Sequence, residues 1–165
     1  MINYLEKGYG LHIAIMRAGH HIEQINNQWV ANDVGAVQAI INAYPLSATK
    51  AEVIAAINDL AKQKFDAAVA GISAAEMSGW SILRAEAIAY GVSQYEADCP
   101  SIAAESVSRG VSVAALVAKV NANAAGFNAL RAAIAGASGK HRDAVAALDT
   151  FDGVLAYDYQ SGWPF

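Results

Sequence analysis

The chain has 165 residues, 37 of them alanine, with 16% charged and 55% apolar side chains and a formal net charge of −4. Alanine combines the best helix propensity with the smallest contact surface, so this composition specifies closely approaching helices around one core or two small ones. The 11 basic residues are scattered singly, which excludes a nucleic-acid face, and no apolar run of about 18 residues is free of polar interruption, which excludes a membrane-spanning helix.

The first 45 residues form one predicted module. Lys7-Gly8-Tyr9-Gly10 is a flexible lead into a helix over Leu11–Arg17, where Leu11, Ile15 and Ala18 share a face. Gly19 is placed to end that helix in a left-handed conformation. His21–Ile25 and Gln28–Ala31 flank Asn26-Asn27, a pair suited to the two-residue turn of a β-hairpin. Trp29, just past the turn, is expected to be largely buried against Val37 and Ile41. Asn32 or Asp33 caps a helix over Val34–Ala43, and Pro45 ends it. The module reads α–β–β–α.

From residue 46 to 152 the pattern is helical. Thr49 is the expected cap of a helix carrying Val53, Ile57, Leu60, Phe65 and Val69, which Gly71 breaks. Ser73-Ala74-Ala75-Glu76 is a capping box opening a second helix with Met77, Trp80, Arg84, Ala87 and Ile88. Pro100 suits the first turn of a short helix ending at Arg109-Gly110. Ser112 then caps a long helix bearing Val113, Leu116, Val117, Val120, Phe127, Leu130 and Ile134. The Gly136-Ala137-Ser138-Gly139 stretch breaks or loosens it before a further helix from Lys140 to Phe151. The fold class is therefore mainly α, with the N-terminal module followed by an Ala-rich antiparallel bundle or long helical hairpin. The stripe from Val113 to Ile134 pairs either with an internal helix or with another copy, making a homo-oligomer one of its two outcomes.

Residues 153–165 form an aromatic tail. Tyr157, Tyr159, Trp163 and Phe165 fall within nine positions that Gly162 and Pro164 keep from being a regular helix. Exposed, these rings would cost roughly 25 cal/mol per Å² of apolar surface. The tail must dock on its own body or on a partner, and in the second case these four residues are the partner-binding set.

No catalytic, cofactor or metal constellation emerges, and a non-enzyme is expected. His20 and His21 point to opposite faces of a strand and do not chelate one ion together. Glu86, Glu96 and Asp98 read as solvated helix positions, and Lys140-His141-Arg142-Asp143 as a mixed-charge surface run. Cys99 beside Pro100 reads as a small helix-start residue without the basic partner a thiolate needs. A lone cysteine makes no intrachain disulfide, which fits a reducing cytoplasm. Met1–Leu11 mixes charges without an apolar core, so no signal peptide is expected.

Two stretches carry a family resemblance. Leu11-His12, Ala18-Gly19-His20, Trp29-Val30-Ala31-Asn32-Asp33 and Ala36 to Tyr44 resemble the N-terminal module of tailed-bacteriophage tail fibre assembly and fibre-associated proteins. Ala75-Glu76-Met77-Ser78-Gly79-Trp80, Glu86-Ala87, Pro100 and the stretches Arg109-Gly110-Val111 and Leu116 to Val120 resemble a helical segment of the same proteins. The resemblance implies a chaperone or subunit whose partner is the trimeric receptor-binding fibre. It would work in the host cytoplasm during assembly and then leave the fibre or stay on the virion tail. It implies no catalytic residue and no cofactor. A small phage-encoded inhibitor of a host or competitor protein, or a purely structural tail component, would share the same acidic, motif-free composition.

Overall fold

The computed structural model describes residues 2–165 and is 70% helical, about twice the ordinary globular share. The fold is mainly α, with one two-stranded antiparallel hairpin near the N-terminus. The backbone divides into two compact units. The first takes in the chain up to Gln63 together with Gly136–Trp163 and Phe165; the second is Lys64–Ala135 with Pro164.

In the first unit, α1 (Tyr9–Arg17) leads to β1 (Ile22–Ile25), β2 (Gln28–Ala31) and α2 (Val34–Ala43). Asn26 and Asn27 hold φ of 48° and 60°, so the hairpin turns in two residues and Gln24 faces Trp29 across it. Gly19 ends α1 with φ 81°. Asp33 opens α2, its carboxylate accepting from the Ala36 N–H at 2.9 Å. Leu11, Ile15, Val37 and Ile41 are buried together with Ile2. Trp29 packs on this cluster but is only half-buried, because one ring face stacks on Tyr4 at 4.1 Å rather than entering the core.

Lys7-Gly8-Tyr9-Gly10 is a fixed joint, where the sequence suggested a flexible lead. Lys7 is buried, and its ammonium donates to the carbonyls of Ile41 at 2.6 Å and Tyr44 at 3.2 Å, closing the C-terminal end of α2. Gly8 stands at the α1 N-cap with φ 94°. The first turn of α1 has no acidic residue, and Glu52 supplies a carboxylate there: it accepts from the Gly10 N–H at 3.0 Å and from the Tyr44 hydroxyl at 2.7 Å. Burial and then the Glu52 contact push the Tyr44 phenol up to about 12. A Cβ on Gly10 would lie 2.0 Å from Glu52 Oε1 and 2.3 Å from the Tyr44 hydroxyl. Gly10→Ala should therefore destabilise by about 2 kcal/mol although alanine is the better helix former. A urea midpoint at or above the wild-type value would refute this account of the joint.

The next helix, α3 (Leu46–Ala68), starts directly after Pro45, so Thr49 does not cap it. Thr49 instead is buried, its hydroxyl donating to the Lys7 carbonyl at 2.7 Å. The helix starts three residues before Thr49, and the Pro45 carbonyl accepts from the Ala48 N–H at 3.0 Å. Ile57 of α3 is buried with Val145 and with Val154 of the short α7 (Phe151–Leu155), which Thr150 caps through the Gly153 N–H at 3.1 Å.

The second unit contains α4 (Ala74–Ser93), a 3-10 turn at Glu96–Asp98, α5 (Pro100–Arg109) and the start of α6 (Val113–Ala147). Ser73 caps α4 through the Glu76 N–H at 3.1 Å, and Ser112 caps α6 through the Ala115 N–H at 3.2 Å. Ala87, Cys99, Ile102, Val113, Leu116 and Val117 form the core. The helix α6 runs unbroken for 35 residues, through the glycines expected to interrupt it. Each of those glycines costs only about 1 kcal/mol in a helix, a penalty that flanking alanines and buried Ser138, His141 and Val145 offset. The break falls instead between Ala147 and Thr150.

Candidate functional site

An open groove of about 930 Å³ lies in the second unit. Its walls are α4 and α6, with Ser101, Glu105 and Arg109 from α5 at the edge. Trp80 and Phe127 meet edge to face at 5.0 Å, and Phe65 approaches Phe127 in the same manner at 5.8 Å. Leu83, Val120 and Leu130 extend the apolar lining. Gly79 and Gly126, each directly before one of the two rings, also line it, and a Cβ at either would meet nothing within 4 Å. The rim carries Glu76, Glu105, Arg109 and Lys119. Glu105 pairs with Arg109, and Glu76 sits in the first turn of α4, where the helix N-terminus offsets its charge. Size and lining are those of a ligand or peptide groove. The sequence placed Trp80 and Phe127 on helical stripes but not opposite one another. The repeated Gly-aromatic step in both helices is the signal that could have joined them.

The aromatic tail docks on its own chain. Tyr157, Tyr159 and Trp163 pack on Ile57, Val145 and Val154, whereas Phe165 stays half exposed. The pin is His141, buried on α6 rather than part of a surface charge run. Its Nε2 lies 3.0 Å from the Ser161 carbonyl, which can only accept, so Nε2 carries the proton. Nδ1 lies 2.9 Å from the Tyr157 hydroxyl, which can donate or accept. Trp163 stacks on the imidazole at 5.4 Å and donates its indole N–H to the Tyr159 carbonyl at 2.8 Å, closing the tail on itself.

The remaining polar candidates hold structure. Glu86, expected on a solvated face, reaches the start of α5 and accepts from the N–H groups of Ser101 at 3.2 Å and Ile102 at 2.9 Å. Burial raises its carboxyl, but the Ser101 hydroxyl and these two N–H groups outweigh that and hold it below the usual carboxylate range. A lowered folded-state pKa stabilises above the unfolded value of about 4.5 and is lost as pH falls through the folded value. Glu86→Gln should cost about 1 kcal/mol at neutral pH, a penalty that shrinks in acid below that range. Unfolding curves at neutral and acidic pH test this; a pH-independent difference would contradict it. Cys99 is fully buried, and burial, followed by Glu86, Glu96 and Asp98, pushes its thiol up, away from the thiolate form.

Tyr4 donates to Glu6 at 3.2 Å and meets His12 Nε2 at 2.8 Å, with its phenol pushed up to about 12 by burial and then by Glu6. His20 and His21 are not brought together with any third ligand: among the described residues no group of three or more His, Cys, Asp or Glu is arranged to hold a metal ion. No single described helix is long and apolar enough to cross a membrane. Compared with protein-family models, with curated proteins and with solved structures, the chain finds no match.

Proposed function

We infer that this chain is a non-catalytic assembly subunit that holds an apolar polypeptide segment in the groove of the second unit. The groove itself supports this reading: a mainly apolar trough of about 930 Å³ with two aromatic rings in contact in its lining. A slowly folding β-rich partner exposes strand edges and apolar surface while it folds, and such a trough covers the side chains that would otherwise aggregate. The resemblance in residues 11–44 and 75–120 supplies the context. The partner is a trimeric phage tail fibre, and the chain acts as its assembly chaperone or as a subunit that remains with it.

Co-expression tests the reading. A fibre encoded beside this chain should yield more soluble trimer in its presence, and less with Gly79→Phe, which fills the groove from a position with open space above it. Fibre solubility indifferent to the chain, or to Gly79→Phe, would discard this function.

A further inference from the structure

The second unit carries both a hole and a plug. At the C-terminal end of α4 and just beyond it, Ile88, Val92 and Tyr95, three or four residues apart, are 54%, 86% and 71% exposed. Glu96 and Asp98 follow at once, both exposed. Among the described residues neither carboxylate is in an ion pair. At the groove, Lys119 is exposed, and among the described residues it has no hydrogen bond or ion pair. The other rim charges are accounted for by the Glu105–Arg109 pair and the α4 N-terminus. An apolar projection flanked by negative charge therefore belongs to the same chain as an apolar groove whose rim carries an exposed lysine outside any ion pair.

A chain cannot plug itself. Val92 lies 13 residues beyond Gly79 on the same helix, roughly 20 Å along the axis of α4 and about 220° around it, so it cannot reach the groove beside that glycine. We propose that in the free protein the groove is occupied by the Val92–Tyr95 corner of a second copy, with Glu96 and Asp98 of one molecule beside Lys119 of the next. The contact is heterologous, joining two different surfaces, so it propagates head to tail into a ring or a short filament rather than ending at a symmetric dimer. This inference rests on the groove being a polypeptide site, as proposed above. It adds that the groove is covered by the chain's own surface until another segment displaces it.

Analytical ultracentrifugation over a concentration series tests it with the full chain. Wild type should sediment above the 17.2 kDa of one chain as concentration rises, and salt should reduce the association. The plug-less Val92→Asp/Tyr95→Asp chain and the groove-filled Gly79→Phe chain should each be monomeric. Mixed in equal amounts they should form a dimer and nothing larger, because the pair retains one plug and one groove. If either variant loses helical circular dichroism, charge reversal replaces it: Glu96→Lys and Lys119→Glu should each weaken association, and together in one chain restore it. A wild type monomeric at every concentration overturns the proposal, as does association without complementation by the mixture or the charge swap. A monomeric chain that still solubilises the fibre would remove self-association and leave the proposed function standing.

Discussion

Deleting Tyr157–Phe165 is expected to lower the stability of the first unit by about 4 kcal/mol. Aromatic rings bury 150–250 Å² when fully enclosed, and at roughly 25 cal/mol per Å² three half-buried rings contribute several kcal/mol before the entropy of ordering the segment is subtracted. The deletion also strips buried His141 of both hydrogen-bond partners. Trp163→Ala alone should cost about 3 kcal/mol, near the low end of large-to-small replacements because the ring is only half-buried. Thermal unfolding of the truncated chain gives the answer. An unchanged Tm would mean that the tail contributes nothing to its own body, and would restore Tyr157, Tyr159, Trp163 and Phe165 as anchors for a partner.

Lys7→Met is expected to cost about 2–3 kcal/mol, large for a substitution near a terminus. It leaves the Ile41 and Tyr44 carbonyls without their ammonium donor and removes the cation from above the Phe151 ring, 4.6 Å away. An unsatisfied buried acceptor costs about 1–3 kcal/mol and a lost cation–ring contact about 1 kcal/mol, against which the desolvation of the lysine itself is recovered. Phe151→Leu should lose only the ring contribution, so a double-mutant cycle separates the two. Hydrogen exchange should quicken first at the end of α2. A midpoint within 0.5 kcal/mol of wild type, taken as roughly the scatter of neutral substitutions, would show that water replaces the ammonium.

Much of the fold was legible in the sequence because its determinants are local. Asn26-Asn27 set the hairpin, Gly19, Gly71 and Gly110 the left-handed stops, and Asp33, Ser73 and Ser112 the helix starts. Each acts within four residues of itself, so spacing alone reveals it. The rest was settled by partners distant in sequence. Lys7 reads as part of a loose lead until α2 places two carbonyls over it, and Glu86 as a solvated acid until α5 presents its N-terminus. His141 looks like surface charge until the tail returns to cover it. The glycines from 136 to 139 look like a break because a local reading counts their propensity cost and not the packing of Ser138, His141 and Val145 that outweighs it. The groove is the extreme case: Trp80 and Phe127 are each ordinary apolar positions on their own helices. Only the tertiary packing of α4 against α6 turns those two rings, and the open space above Gly79 and Gly126, into one surface.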